Sequence, residues 1–316
     1  MMNITLKQLR YFEALARHTH FGRAADACAV TQPALSMQIK ELEQTLGVAL
    51  FERTARRVQL TGVGEELLDR SRDILRRVDE LVDLASSAQG SLLGRLRLGV
   101  IPTVAPYLLP SIVGRLTEHH NGLDLHVRET LTSTLITEIM DGRLDAAIVA
   151  LPVSEPALVE VPIFSEGFVF VRPSGDAGKP VPDRTMLKDM RVLLLEEGHC
   201  FRDQALSFCN LGSGQPRELL DASSLSTLVQ MVGAGIGVTL VPEMAVAVET
   251  RSADVSVIRF KAPEPTRTIG LIWRRTSPIS PQLRRLSEDV RAAAQEHASQ
   301  PQVAHQLPLR SIDAAT

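Results

Sequence analysis

Two of the three cysteines in this 316-residue chain stand nine apart, in the stretch EEGHCFRDQALSFC from Glu196 to Cys209, with His199 directly before the first. Thiolate is the reactive form of a cysteine, and two thiols brought within reach can close a disulfide. The residues after Cys200 are predicted to be helical. Cys200 and Cys209 then lie roughly 13–14 Å apart along the axis and project from opposite faces, at about 1.5 Å and 100° per residue. A disulfide needs Cα atoms within about 7 Å. The two sulfurs therefore cannot join while the helix is intact, and joining them must unwind it. Cys200 lies near the start of the predicted Phe201–Cys209 helix, flanked by His199 and Arg202, which favours the thiolate; Asp203 falls in the first turn. The same residue types also suit two small hydrophobes packed in a core.

The elements that must position these thiols come from a chain long enough for two or three domains. Its 44% hydrophobic and 22% charged residues are ordinary for a soluble globular protein. A net charge of −3 excludes a uniformly basic nucleic-acid coat but leaves room for a basic module. Three cysteines, an odd number, do not build a secreted disulfide framework. No basic leader with an apolar core opens the chain, and no apolar run approaches about 18–20 residues. The expectation is a cytoplasmic protein without a membrane partner, in which a disulfide would be a transient signal.

Leu6, Leu9, Phe12, Leu15 and Ala16 recur at helical spacing. A second helix over about Gly22–Ala29 carries Ala24, Ala25 and Cys28. After a break at Val30–Thr31, Thr31 can cap a third helix, with Pro33 in its first turn and Gly47 at its end. Leu35, Ile39, Leu42 and Leu46 form its apolar stripe. Pro33, Ser36, Met37 and Lys40 face away, with Gln32 at the N-terminal tip. A short turn followed by a helix with a polar N-terminal face is how a helix-turn-helix enters the major groove of double-stranded DNA. Gln32 and Ser36 offer base-edge hydrogen bonds and Lys40 a phosphate contact. Arg53, Arg56 and Arg57 fall in a hairpin-like wing beside it. Met1–Gly62 holds eight Lys and Arg against five Asp and Glu, the sign expected of a DNA-facing module. A helical bundle with a solvated basic face fits the pattern alone as well.

The run FGRAADACAVTQPALSMQIKELEQTLGVALFERTARRVQLTGVGEELL strongly resembles the winged helix-turn-helix of LysR-type transcriptional regulators. The resemblance implies that Thr31, Gln32, Pro33, Ser36 and Arg53 lie against DNA, and that the chain is a transcription factor rather than an enzyme. Beyond it, Leu67, Ile74, Val78, Leu81 and Ala85, with Leu68, Leu75 and Val82 alongside, form a seam on a long charged helix. That seam suits either its own domain or a second copy of itself, and the resemblance implies dimerisation. QGSLLG, residues 89–94, reads as a hinge.

From Gly94 onward strands and helices alternate, which argues a parallel sheet covered on both faces. The strands are GRLRLGVI, LDLHVRET, LDAAIVAL, RVLLLEE, VTLVP and RTIGLIW; the helices are about Tyr107–His119, Ser133–Asp141, SSLSTLVQMVGAG and PQLRRLSEDVRAAAQEH. Two α/β lobes joined by two crossings leave a cleft between them. GAGIG lacks the lysine and Ser/Thr of a phosphate loop, His119 and His120 are not at metal-ligand spacing, and no Gly-x-Ser-x-Gly elbow exists. No cofactor and no metal are implied.

LLLEEGHCFRDQALSFC, IPTVAPYLLP and PEPTRTIGL are similar to the peroxide-sensing members of the same family. That likeness implies that Cys200 is the peroxidatic cysteine and Cys209 the resolving one, and that Thr103, Thr132, His199, Asp203 and Arg267 hold peroxide or feed its proton network. It further implies a homotetramer, built as a dimer of dimers, with hydrogen peroxide as signal, RNA polymerase as partner and a thioredoxin- or glutaredoxin-type reductant. Ser223 and Ser224 stand where the family more often has threonine–serine. The expected fold is an N-terminal all-α winged helix-turn-helix plus long linker helix, then a C-terminal α/β two-lobed periplasmic-binding-protein-like effector domain. Its segments are 1–62 for DNA, 63–91 for the linker helix, 94–165 with 269–297 for lobe I, 166–268 for lobe II and a disordered tail at 298–316. Two rivals are a regulator of the same family whose cleft takes a small organic effector, and a thiol peroxidase.

Overall fold

The computed structural model describes residues 4–53, 58–88, 94–120, 122–182, 184–187, 189–209, 221–260 and 264–299. Arg56 and Arg57 of the wing, the hinge up to residue 93 and the tail from residue 300 lie outside the described residues, as do the side chains of Arg53 and Cys209. The chain divides into two units, Met1–Gly90 and Ser91–Thr316. Among the described residues no helix is long and apolar enough to cross a membrane.

The first unit contains α1 (Leu6–His18), α2 (Phe21–Ala27), α3 (Gln32–Leu46), β1 (Phe51–Arg53), β2 (Val58–Leu60) and α4 (Gly62–Ala88). Thr5 and Gln8 start α1 with a reciprocal capping box. Tyr11, Phe12 and Leu15 of α1 meet Ala24 and Ala25 of α2, whose small side chains let the helices approach, and Leu35, Ile39 and Leu42 of α3. Helix α2 stops at Ala27, two residues earlier than expected, because Cys28 caps it and Ala29 turns left-handed at φ 53°. Gly47, at φ 72°, ends α3 as expected. Strands β1 and β2 pair antiparallel as the wing. Glu43 of α3 accepts from the amides of Leu50 and Phe51 at 2.9 and 3.2 Å, which ties the wing to α3. Along α4, Leu68 joins this core, whereas Ile74 and Leu81 remain 46% and 65% exposed.

The second unit runs through β3 (Arg95–Val100), α5 (Ala105–His119), β4 (Asp124–Glu129), α6 (Thr132–Met140), β5 (Ala146–Leu151) and β6 (Leu158–Pro173). There follow α7 (Arg184–Leu187), β7 (Leu194–Leu195), α8 (Cys200–Cys209), β8 (Asp221–Ala222), α9 (Leu225–Gly233), β9 (Thr239–Pro242) and α10 (Val246–Glu249). Strand β10 (Val255–Arg259), β11 (Thr266–Arg274) and α11 (Ser280–Ser299) complete it. The main sheet has the order β10-β6-β11-β5-β3-β4, with β9 also on β6. Strands β4, β3 and β5 are parallel, but β11 is antiparallel to both β5 and β6, so the sheet is mixed rather than parallel.

The reason for the mixed sheet is the crossing. The first part of the 16-residue β6 pairs with β11 and its last part with β9 and β10, so one strand serves both lobes. Of the expected strand RVLLLEE, only Leu194–Leu195 pairs as a ladder, with β8, and Val192 makes a lone bridge to Val238.

Gly64 joins α4 to the winged module: a Cβ there would collide with the backbone carbonyl oxygen of Leu50. Gly64→Ala is therefore expected to destabilise the N-terminal unit by about 1–3 kcal/mol. Calorimetry of the full chain should show its melting shifted down with that of the effector unit unchanged.

Candidate functional site

Helix α8 begins at Cys200 itself, one residue earlier than expected, so the thiol belongs to the first turn. The turn before it depends on Gly198, at φ +95°, whose missing Cβ would stand 2.9 Å from Leu131 Cδ1. Only glycine combines that conformation with that approach. Leu131 is the cap of α6 and Thr132 its first residue, so the contact sets the thiol loop against the start of α6. His199 is buried, and Cys200 is half-buried with a free thiol.

The sequence suggested two cations beside the thiol, and the structure neutralises both. Burial lowers the His199 imidazole below its ordinary value of 6.5, only partly countered by Glu196, so the ring is neutral at neutral pH. Arg202 is committed elsewhere. Its Nη1 donates to the Leu195 carbonyl at 2.7 Å and to Asp221 Oδ1 at 2.6 Å, which pins the start of α8 to β7 and β8. Asp203 is exposed.

Phe201, Ala205 and Phe208, spaced i, i+4 and i+7, hold α8 to the core. Phe201 sits edge-on to Phe168 with ring centroids 5.2 Å apart, and Phe208 edge-on to Phe260 at 5.0 Å. Cys200 and Cys209 bound one continuous helix, which places their Cα atoms about 13–14 Å apart. That is beyond the roughly 7 Å a disulfide spans.

The Arg267 guanidinium also lies 6.0 Å from the Phe168 ring centroid. Its side chain is fully buried. Nη1 donates to Thr103 Oγ1 at 2.7 Å, Nη2 to the Thr103 carbonyl at 3.0 Å and Nε to Glu166 Oε1 at 2.9 Å. Glu166 also accepts from the Met244 amide at 3.0 Å. Such a pair is tolerated in the interior because its charges are matched and its donors used. Glu166 escaped sequence reasoning. It lies in an ordinary strand, and only the β6–β11 register, in which Arg267 and Glu166 are direct partners, brings the charges together.

Thr132 Oγ1 is buried and, among the described residues, has no hydrogen-bond partner. Such orphans are rare and mark places for a water or ligand. The structure thus joins Thr103 to Arg267 by direct hydrogen bonds. It sets Thr132, His199 and Cys200 around the Leu131–Gly198 contact, and leaves Asp203 facing solvent. Ser224 caps α9 through the Thr227 amide at 3.2 Å, and Ser223 is exposed. A second polar link, also missed, crosses between lobes. Tyr107 Oη and Ser226 Oγ donate to the two oxygens of buried Glu249, each at 2.6 Å. Burial and that carboxylate push the Tyr107 phenol far up. Among the described residues, no cluster of His, Cys, Asp and Glu is placed to hold a metal ion.

On α3 the expected face is open: Thr31, Gln32, Pro33 and Lys40 are exposed, Met37 is 63% exposed, and Ser36 is half-buried. Thr31 occupies the cap position, yet its hydroxyl makes no capping bond.

The model of the bacterial regulatory helix-turn-helix protein, lysR family, matches residues 6–65, and that of the LysR substrate binding domain matches residues 89–295. The chain is 44% identical over 296 residues to a Streptomyces viridosporus protein named "Probable hydrogen peroxide-inducible genes activator", covering 92% of this chain and 95% of that one. It is 40% identical over 296 residues to the "DNA-binding transcriptional dual regulator OxyR" of Escherichia coli, covering 93% and 97%. A solved structure of Corynebacterium glutamicum OxyR, a cysteine-to-serine mutant with hydrogen peroxide bound, superposes with a TM-score of 0.64 at 36% identity, covering 93% of this chain and 94% of that one. Matches of that extent and identity leave one conclusion: the chain belongs to the LysR family of helix-turn-helix transcriptional regulators, among relatives named OxyR.

Proposed function

We propose that this regulator senses hydrogen peroxide through Cys200 and records it as a Cys200–Cys209 disulfide. The observation that carries the reading is one intact helix bounded by both cysteines, its first residue a half-buried free thiol beside the buried His199. The names of its relatives, and a neighbour with peroxide bound, support the same reading. The Cys200 thiolate attacks one peroxide oxygen: an S–O bond forms, the O–O bond breaks, and hydroxide leaves to become water on taking a proton. The Cys209 thiol then displaces the sulfenic hydroxyl as a second water, forming the S–S bond. Arg267 and Thr103 are suited to steady the leaving oxygen, and Thr132 and neutral His199 to orient peroxide and relay its proton, with Asp203 at the solvent end.

Closing the disulfide unwinds α8 and pulls Phe201 and Phe208 from Phe168 and Phe260. On this reading α3 enters the major groove with Thr31, Gln32, Pro33 and Ser36, while Lys40 and Arg53 meet phosphates. Ile74 and Leu81 of α4 meet a second copy, and two such dimers make the homotetramer whose rearrangement changes contact with RNA polymerase. The protein works in the cytoplasm, where a thioredoxin- or glutaredoxin-type dithiol resets it.

Cys200→Ser should abolish peroxide-driven thiol loss and the accompanying change in the DNA footprint, with DNA binding retained. A footprint that still responds to peroxide would refute the scheme and point to a cleft effector. Glu166→Ala strands the buried Arg267 charge and should cost about 3–5 kcal/mol, read from denaturant unfolding. The depressed His199 value means that the unfolded chain binds this proton more readily. Stability should therefore fall as pH drops below about 6.5. The decline should be shallower in His199→Gln, measured as melting temperature against pH.

A further inference from the structure

We infer that Tyr107 and Glu249 are positioning residues for peroxide reduction: their hydrogen bond fixes the angle between the lobes and so aims the Thr103 hydroxyl. The inference rests on the peroxide reading above and gives a role to a buried link that no step of that chemistry uses. Strand β6 changes partner between Gly167 and Phe168, leaving β11 for β9. Glu166 and Arg267, paired across β6 and β11, therefore mark the point where the crossing strands pass from lobe I to lobe II. A crossing of two strands keeps lobes together but leaves their angle to other contacts. The bonds from Arg267 to Thr103 lie at that crossing, where they have little leverage against rotation. Tyr107 and Glu249 belong to α5 and α10, outside both strands, and give the lobes a second point of attachment.

The contacts close a ring. Thr103 stands in a turn in which the Val104 and Ala105 amides each donate to the Ile101 carbonyl at 3.0 Å, and Tyr107 follows in the first turn of α5. Tyr107 Oη donates to Glu249 Oε1 at 2.6 Å. Glu249 ends α10, which continues the short helical turn Glu243–Ala245. The Met244 amide of that turn donates to Glu166, which holds Arg267, which donates back to Thr103 Oγ1. The covalent legs are hydrogen-bonded helical turns, and the four joints span 2.6 to 3.0 Å. Rotating the lobes must break the Tyr107–Glu249 bond or tilt α5, and tilting α5 moves Thr103. Burial and the Glu249 carboxylate keep the phenol protonated, so it remains a donor, and the Arg267 and Glu166 charges also act on it.

Ser226 Oγ donates to the other Glu249 oxygen at 2.6 Å, from α9 of the same lobe. That bond is as short as the Tyr107 bond, but it spans no gap between lobes. Losing it perturbs the same carboxylate without freeing the angle.

The test follows Cys200 of the full chain by peptide-resolved mass spectrometry, with Cys28 as the internal reference thiol. Tyr107→Phe keeps the ring and removes the donor, and Glu249→Ala removes the same link from lobe II. Each should slow the reaction of Cys200 with hydrogen peroxide about tenfold, with its rate toward iodoacetamide within about twofold of wild type. Ser226→Ala should leave the peroxide rate within about threefold, although it too strips a buried hydrogen bond from Glu249. On a Thr103→Val background, Tyr107→Phe should add less than about twofold, because the hydroxyl it aims is gone. A Tyr107→Phe peroxide rate within about threefold of wild type overturns the inference, since misaligned reacting groups cost more than that. So does equal slowing by Ser226→Ala, equal slowing toward both reagents, or an undiminished Tyr107→Phe effect without the Thr103 hydroxyl. Wild-type Cys200 reacting with peroxide no faster than Cys28 would instead overturn the peroxide reading beneath it.

Discussion

A continuous α-helix cannot bring its first and tenth residues within bonding distance, and α8, with a cysteine at each end, is such a helix. Helix α8 is held from outside at three points: Arg202 clamps its start to β7 and β8, Phe201 docks on Phe168, and Phe208 docks on Phe260. None of these contacts involves either sulfur. The reduced geometry is thus kept by packing and ion pairing. A covalent bond between the cysteines must work against all three at once.

Phe168 has a place in both halves of the site. One of its neighbours is Phe201, on the thiol helix, and another is the Arg267 guanidinium, which bonds Glu166 and Thr103. Glu166 continues to the Met244 amide, just before α10, where Glu249 receives Tyr107 from the opposite lobe. The Arg267–Glu166 network and the Tyr107–Glu249 link between the lobes therefore meet in one short segment of lobe II. Burial keeps both networks rigid, because each lost hydrogen bond in the interior leaves a polar group without water.

What periodicity could reveal, it revealed: the helices of the winged module, the linker helix and the alternating elements of the effector unit follow from apolar spacing. Glycine at 47 and the helix that ends at Cys209 were equally legible, because turn geometry and helix geometry act on neighbouring residues. The Glu166–Arg267 pair was not, since it joins residues about a hundred positions apart through strand register alone. The mixed sheet had the same cause: spacing shows that a segment is a strand, not which way its neighbour runs. The charge environment of Cys200 was misjudged because adjacency in sequence said nothing of Asp221, which claims Arg202, or of the burial that neutralises His199.

The missing cap at Thr31 has a consequence of its own. Thr5, His20 and Ser224 each close the opening turn of a helix with a side-chain acceptor, whereas the Thr31 hydroxyl makes no such bond at the start of α3. Helix-start amides without a side-chain cap are left to water, and an arriving anion can replace that water. In the docking proposed for α3, the duplex supplies its own phosphate oxygens there, and target and reader complete a single secondary structure between them.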